Sequence, residues 1–313
     1  MEKKTVDVII PAYRPGEGWK QMLRGLEGQI WPVHRLIVMN TGKENWKAAY
    51  EKTTIPMEVH HLTREEFDHG KTRDQAARMS RADYLLFMTQ DALPEDCHLI
   101  EKLVEAMEQD EKIGAAYARQ LPREDCRLME QYTRQFNYPE QSCVKTKADI
   151  PTLGIKTFFC SDVCAAYRRD LFEELGGFES PVIFNEDMFF AANAIEHGYG
   201  VAYAAEAKVV HSHNYTMRQQ FHRNFDLAVS QKQHPEIFEQ VSSEAEGMKL
   251  VKSTIAYLFA IRKPWLVFHF GMQCVGKYAG FWMGRHYEKL SRKQILKYTM
   301  NPGYWDMRED VHE

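Results

Sequence analysis

Residues 84–94 read YLLFMTQDALP: five apolar residues without polar alternation, then Thr-Gln and a single carboxylate, Asp91. Such a run suits a strand buried on both faces, the place of an inner strand in a parallel sheet. The same signature recurs on either side. Residues 6–10 are a β-rich run halted at Pro11, after which Trp19, Met22, Leu23 and Leu26 fall on one face of a helix. Residues 36–39 make a strand closed by the turn signal Asn40-Thr41-Gly42, residues 58–62 another, and 72–79 a helix. Downstream, Leu99, Leu103 and Met107 stripe a helix before a strand at 113–118. This alternation predicts an α/β fold with a mostly parallel central sheet flanked by helices on both faces. Sheets of that kind bind ligands beyond the carboxyl ends of their strands, which singles out Pro11, Ala12, Tyr13 and Arg14, then Asn40, then Gln90 and Asp91.

Beyond residue 120 the pattern loosens. Residues 120–160 are polar and broken by Pro122, Pro139 and Pro151, which predicts a partly helical insertion near the mouth of the site. Helices are expected over 168–175, stopped by Gly176-Gly177, over 185–197, ended by Gly198, and over 216–234; short strands are expected over 201–203 and 208–210. From about 245 the character changes. Residues 249–297 hold ten Lys or Arg against one acid, Glu288, in a chain whose formal net charge is −4. The expected division is therefore an acidic body, 1–240, and a basic, aromatic helical C-terminal extension, 241–313.

The 313 residues are 44% hydrophobic and 27% charged, enough for a packed core and against wholesale disorder. The start, MEKKTVDVIIPAYRP, with only a short apolar run before Arg14, does not read as a signal peptide, and Arg262 and Lys263 interrupt the best candidate for a membrane span. Six cysteines without a CxxC pair read as reduced, mostly buried thiols of a cytoplasmic protein, with Cys160 and Cys164 packing the core rather than binding metal.

The common nucleotide signatures, GxGxxG after the first strand and GxxxxGK[ST], are absent, which disfavours dinucleotide oxidoreductases and P-loop NTPases. Pro11-Ala-Tyr-Arg14 instead offers a rigid turn, an aromatic face and a guanidinium. Asp91 has two readings, a ligand of Mg²⁺ or Mn²⁺ or the N-cap of the next helix. Asn185-Glu186-Asp187 likewise reads as a capped helix start or as a site holding a general base. Alternation puts His211 and His213 on one face, either able to reach a metal.

Together these segments resemble a known family. VIIPAYRP (8–15), FDHGKTR (67–73), TQDALPED (89–96), SDVCAAYRRDLFEELGGF (161–178) and the stretch from NEDMFF to VVHSH (185–213) are similar to family-2 glycosyltransferases with the GT-A fold, nearest the bacterial rhamnosyltransferase-like branch, over about residues 5–235. The resemblance implies an inverting enzyme. A nucleotide-diphosphate sugar would lie across Pro11, Ala12, Tyr13, Arg14, Asn40, Gly70, Lys71, Arg73, Gln90 and Asp91. Mg²⁺ or Mn²⁺ would be held by Asp91 and His211, with His213 as the alternative, and would offset the charge of the diphosphate leaving group. Asp187 would be the general base and Glu186 would position it or the acceptor. The implied donor is dTDP-rhamnose, with a UDP-hexose as alternative, and the acceptor a surface polysaccharide or lipid-linked glycan. Asn40 and Thr89 stand where the family usually carries acids, which motivates a further reading as a catalytically weakened, sugar-nucleotide-binding scaffold subunit. Gln220-Phe-His-Arg223-Asn replaces the Gln-x-x-Arg-Trp of processive members, which implies addition of single sugars.

In the extension, Gly276, Gly280 and Gly284 recur every four residues, a smooth strip that another helix can approach closely. Trp265, Phe268, Phe270, Tyr278, Phe281 and Trp282 lie around it with Lys and Arg alongside. That pattern predicts contact with an anionic membrane surface on the inner face of the cell membrane, or a homodimer, or a helical pair packed on the body. Nucleic acid is not expected, because the body is acidic.

Overall fold

The structure is a computed structural model that describes residues 3–238, 241 and 243–307. Nine strands form one sheet: β1 (Val6–Tyr13), β2 (Arg35–Thr41), β3 (Met57–Leu62), β4 (Tyr84–Met88), β5 (Leu93–Pro94), β6 (Ile113–Leu121), β7 (Cys143–Lys145), β8 (Cys164–Arg168) and β9 (Gly200–Val210). Their order is β3-β2-β1-β4-β8-β6-β9-β5, with β7 paired to β9. β8 is antiparallel to both β4 and β6, so β1, β2, β3, β4, β6 and β9 all run the same way. The carboxyl ends of these six strands therefore share one edge, as expected of a mostly parallel sheet.

Both faces of this sheet are covered. Val6, Val8, Ile10, Leu36, Val38, Leu86 and Met88 enter one core layer, and Ile9, Ile37, Met39, Leu85 and Phe87 the other. At the central strands β1, β2 and β4 nearly every residue is buried, which is why those runs carry no polar alternation, whereas β3 at the edge is half-exposed. α1 (Gly18–Glu27) buries Trp19, Met22, Leu23 and Leu26 against the first layer, beside α3 (Leu99–Glu108). α2 (His69–Met79) and α7 (Glu186–Glu196) supply Ala76, Ala77, Phe190 and Ile195 to the second. The insertion after β6 is partly helical as expected, with α4 (Leu128–Asn137) and the short α5 (Ile150–Leu153).

Several strands differ from the sequence reading; β5 and β7, of two and three residues, are too short to show a period. β8 was not expected ahead of its helix, α6 (Arg169–Glu174). Its CAAYR is short and alanine-rich, with little β propensity, and it is fixed by its neighbours β4 and β6. The two strands expected at 201–203 and 208–210 are one strand, β9. Its register on β6 jumps from Ala204 opposite Ala118 to Lys208 opposite Arg119, so the middle looks like a break. Of the six free cysteines, only Cys126, Cys160 and Cys164 are buried, while Cys97 and Cys143 are exposed, so the expectation of mostly buried thiols does not hold.

After β9 come α8 (Met217–Gln233), α9 (Pro235–Phe238), α10 (Ser243–Ala260), α11 (Leu266–Arg285), α12 (Arg292–Tyr298) and α13 (Pro302–Asp306). The glycine strip of α11 is occupied from within the chain. A Cβ on Gly280 would stand 2.1 Å from the Phe221 carbonyl oxygen, and one on Gly284 would stand 2.3 Å from that of Phe225. Ile295, Tyr304 and Trp305 then close a third core with Ile183, Phe225 and Val229. α11 is thus packed on the body through α8, whereas α10 packs on α4, where Tyr257 stacks on Tyr132.

Candidate active site

β4 and β9 end on the shared edge with β8 and β6 between them, and β5, which follows β4, pairs Leu93 with Val210 and so brings the turn after β4 to the end of β9. Asp91 follows β4, and His211 and His213 follow β9. The Nε2 atoms of His211 and His213 lie 3.6 and 3.5 Å from Asp91 Oδ2, and one ligand atom from each of the three falls within 4.8 Å of the others. Burial pulls the pKa of both imidazoles down and outweighs the Asp91 carboxylate, so both rings stay neutral. Gln120 sets the tautomer of His211. Its Oε1 accepts from the Arg134 guanidinium, which can only donate, and lies 3.2 Å from His211 Nδ1, which must therefore carry hydrogen. His211 Nε2 is left with a lone pair facing a carboxylate oxygen. Two acceptors opposed in this way, with a second imidazole beside them, form a donor set that fits a divalent cation. Asp91 does not cap a helix, since α3 begins at Leu99 after His98.

A second cluster surrounds Arg73, which is buried in the first turns of α2. Its Nη1 lies 3.1 Å from Glu186 Oε1 and its Nε 3.3 Å from Asp162 Oδ2. The Asp162 amide donates to Asp187 Oδ2 at 2.9 Å, and Tyr167 donates to Asp162 Oδ1 at 2.7 Å. Two carboxyls thus contact one guanidinium with a third, Asp187, beside them, and their protons divide accordingly. Burial would raise Glu186, but Arg73 and then His69 outweigh it and hold its carboxyl below the usual range. Burial raises Asp162 well above that range, with Asp187 and Glu186 adding to the effect against Arg73. Asp187, half-buried at the start of α7, is pushed up to about 7 by burial and by Glu186. A carboxyl poised near neutrality, with an open side, can accept a proton from a hydroxyl. The two clusters are connected: Gln120 Nε2 donates to Ser161 Oγ at 3.0 Å, one residue before Asp162.

At the end of β1, Tyr13 is exposed between two guanidinium groups, those of Arg14 and Arg64, each 5.2 Å from its ring. Arg14 adopts a left-handed φ of 48°, uncommon outside glycine, at this same edge. The Gln90 amide is engaged at both ends, accepting from Tyr13 N and donating to Tyr13 O at 2.9 Å, so it clamps β1 to the turn that carries Asp91.

The structure distributes the remaining sequence candidates unevenly. Pro11 and Ala12 lie within β1. Asn40 is fully buried; its Nδ2 donates to the Gly42 carbonyl and lies 3.0 Å from His61 Nδ1, leaving Oδ1 without a partner. The helix expected from residue 72 begins at His69, so the FDHGKTR segment forms the N-terminus of α2; the Asp68 carboxylate caps it by accepting from Lys71 N and also accepts from Val182 N. Gly70 there is a close-packing position, since a Cβ would meet the Glu179 carbonyl oxygen at 1.9 Å; Lys71 is exposed and Arg73 is internal. Asn185 occupies the N-cap position in a left-handed conformation, but its side chain donates to Ser230 instead of capping. Asp162, Gln120, Ser161 and Arg134 escaped the sequence reading. Asp162 had a signal in SDVCAAYRR, but the strand that places it was not recognised.

Carboxylates and imidazoles follow successive strands on this edge, and the absence of a glycine-rich phosphate loop from the sequence sets it apart from dinucleotide-binding and P-loop sites. Comparison with known proteins agrees. The model of glycosyl transferase family 2 matches residues 7–176. The chain is 38% identical to the O-antigen chain rhamnosyltransferase RfbN of Salmonella typhimurium, over 96% of each chain. It is 35% identical to the O-antigen chain rhamnosyltransferase WbaN of Salmonella anatum, over 96% of this chain and 95% of that one. Among solved structures, a mannosyltransferase of Pyrobaculum calidifontis in complex with GDP-Man and Mn²⁺ superposes with a TM-score of 0.58 at 16% identity, covering 97% of this chain and 85% of that one. TarS of S. aureus in complex with UDP-GlcNAc gives 0.51 at 14%, covering 90% and 92%. The chain belongs to glycosyl transferase family 2 and is a glycosyltransferase with the GT-A fold.

Proposed function

We propose that the chain transfers a single rhamnose, with inversion, from dTDP-rhamnose to a growing O-antigen type glycan carried on a lipid. The rhamnosyltransferase relatives support the donor sugar and the glycan class. The observation that carries the mechanism is the arrangement of two linked clusters, one suited to a divalent cation and the other presenting Asp187 with a pKa near 7.

In this reading Asp187 takes the proton of the acceptor hydroxyl while that oxygen attacks the anomeric carbon, and the bond to the diphosphate breaks with its electron pair going to the diphosphate. Met188 N and Asp162 N donate to the two Asp187 oxygens and fix the base. Glu186, tied to Arg73, stays ionised and helps keep Asp187 basic. Asp91, His211 and His213 would hold a divalent cation, which when bound would draw charge from the departing diphosphate. Two imidazoles in the donor set favour Mn²⁺ over Mg²⁺, which prefers oxygen ligands. Tyr13, Arg14 and Arg64 supply a stacking face and cations for the nucleotide.

The test is calorimetric binding of dTDP, UDP, GDP and NAD, each with and without Mn²⁺, followed by transfer assays with the matching donor. Mn²⁺-dependent binding of dTDP is expected. Selective binding of UDP moves the donor to a UDP-hexose. Nucleotide binding without transfer from any donor leaves the scaffold reading, and NAD binding overturns the proposal.

A further inference from the structure

The contact between α11 and α8 uses only one side of α11. The glycine strip meets Met217, Phe221 and Phe225 of α8, so the surface suited to close helix pairing is already taken. On the adjacent side Phe268, Met272, Val275 and Trp282 recur at helical spacing, and all four face outward. Phe268 is 79% exposed, Tyr278 70% and Trp265 67%, and Phe259 at the end of α10 continues the patch. A patch of this size on an otherwise well-covered chain is an interaction surface.

The charges around it indicate what it meets. Residues 247–287 contain no Asp or Glu, and they carry Lys249, Lys252, Arg262, Lys263, Lys277 and Arg285. Arg262 and Lys263 are exposed in the α10–α11 turn, next to Phe259 and Trp265. A second copy packed about a two-fold axis would set this cationic face against itself. Aromatic rings at the level of a cation ring match the headgroup region of an anionic bilayer, where Trp and Tyr place their apolar bodies below and their polar edges in water. Among the described residues no helix is long and apolar enough to cross a membrane.

We propose that the outward face of α11 and the end of α10 rest on an anionic phospholipid bilayer, lying in its interface without crossing it. α8 stands between this face and the site: its residues Phe221 and Phe225 carry α11, while Ser230 of the same helix holds Asn185, next to Glu186 and Asp187. Two helices, α11 and α8, would therefore lie between the bilayer and the site. The proposal does not depend on the identity of the transferred sugar.

The experiment is co-sedimentation of the full-length protein with vesicles of phosphatidylcholine alone or mixed with phosphatidylglycerol, at low and high NaCl, alongside light scattering of the protein alone. Wild type is expected to sediment with phosphatidylglycerol vesicles and to release as salt rises. W265S/F268S/W282S changes only exposed side chains, so its fold should persist, and its vesicle affinity should fall on the order of tenfold or more. K252E/R262E/K263E should lose the preference for phosphatidylglycerol. Failure of wild type to bind at low salt, or equal binding by the aromatic triple variant, overturns the proposal. A wild-type dimer that becomes monomeric in that variant, without vesicle binding, overturns it in favour of a second copy.

Discussion

Asp91 faces two imidazoles that burial keeps neutral, whereas Asp187 shares its surroundings with two further carboxyls and a single guanidinium. Both carboxylates follow the same rule of sheet topology, lying past strand ends or at a helix start on one edge. Their neighbours make them opposite in character. Around Asp91 the protein supplies lone pairs, with Arg134 held off on Gln120, so under the proposed function a divalent cation would complete the cluster. Around Asp187 it supplies one internal cation and crowds three acids upon it, so the cluster retains protons. Position puts an acid on this edge, and its partners decide whether it is left as a bare acceptor or held near neutrality.

Asp187→Asn separates the two clusters most sharply. Transfer should fall by on the order of 10²- to 10⁴-fold with nucleotide affinity unchanged, measured by initial rates and calorimetry; normal transfer by the variant removes Asp187 as base. Gln120→Leu acts on the other cluster. Without the Oε1 acceptor His211 is free to choose either tautomer, and Mn²⁺ affinity should weaken by about 10- to 100-fold in a substrate-free electron paramagnetic resonance titration. Gln120→Glu keeps an acceptor oxygen and should recover much of that loss. Unaltered affinity in Gln120→Leu would show that Gln120 does not orient the ligand.

Gly280→Ala asks whether the helices beyond the body belong to the same cooperative unit. The added methyl meets the Phe221 carbonyl oxygen, so α11 must shift, with a cost of about 1–3 kcal/mol and a single lowered thermal transition. Two separate transitions would mean that the extension melts by itself. The smallest effect is on pH. Because the Asp187 pKa is raised, its base form is scarce below 7 and grows above it, so the transfer rate should climb through about pH 7 to a plateau. The stability linkage has the opposite sign. A carboxyl with a raised folded pKa stabilises the fold most when protonated, and that contribution is lost as pH rises from about 4 through 7. A rate profile already flat from pH 5 would show that Asp187 is ionised throughout.

Much of this was legible in the chain. The strands at β1, β2 and β4 announce themselves because burial on both faces removes polar residues, and α1 because its four apolar residues fall on one side. Asp91, Asp187 and the His211–His213 pair could be singled out because each closes or opens such an element. β8 could not be read, since Cys164–Arg168 has neither length nor alternation and owes its conformation to β4 and β6. Asp162, placed just ahead of β8, was lost with it.

The sequence by itself determined the layered α/β architecture, the edge that carries the candidate site and the acids presented there, because hydrophobic period and strand-end position are local properties of a chain. Only the tertiary structure decided which acid sits with which partner. Arg73 comes from α2, Asp162 from the entry to β8 and Asp187 from α7; Gln120 of β6 reaches His211 beyond β9. It also decided that the glycine strip belongs to α8 and that the aromatic side faces outward. Charge sharing and close packing depend on distances between segments far apart in sequence, and no local pattern encodes those distances.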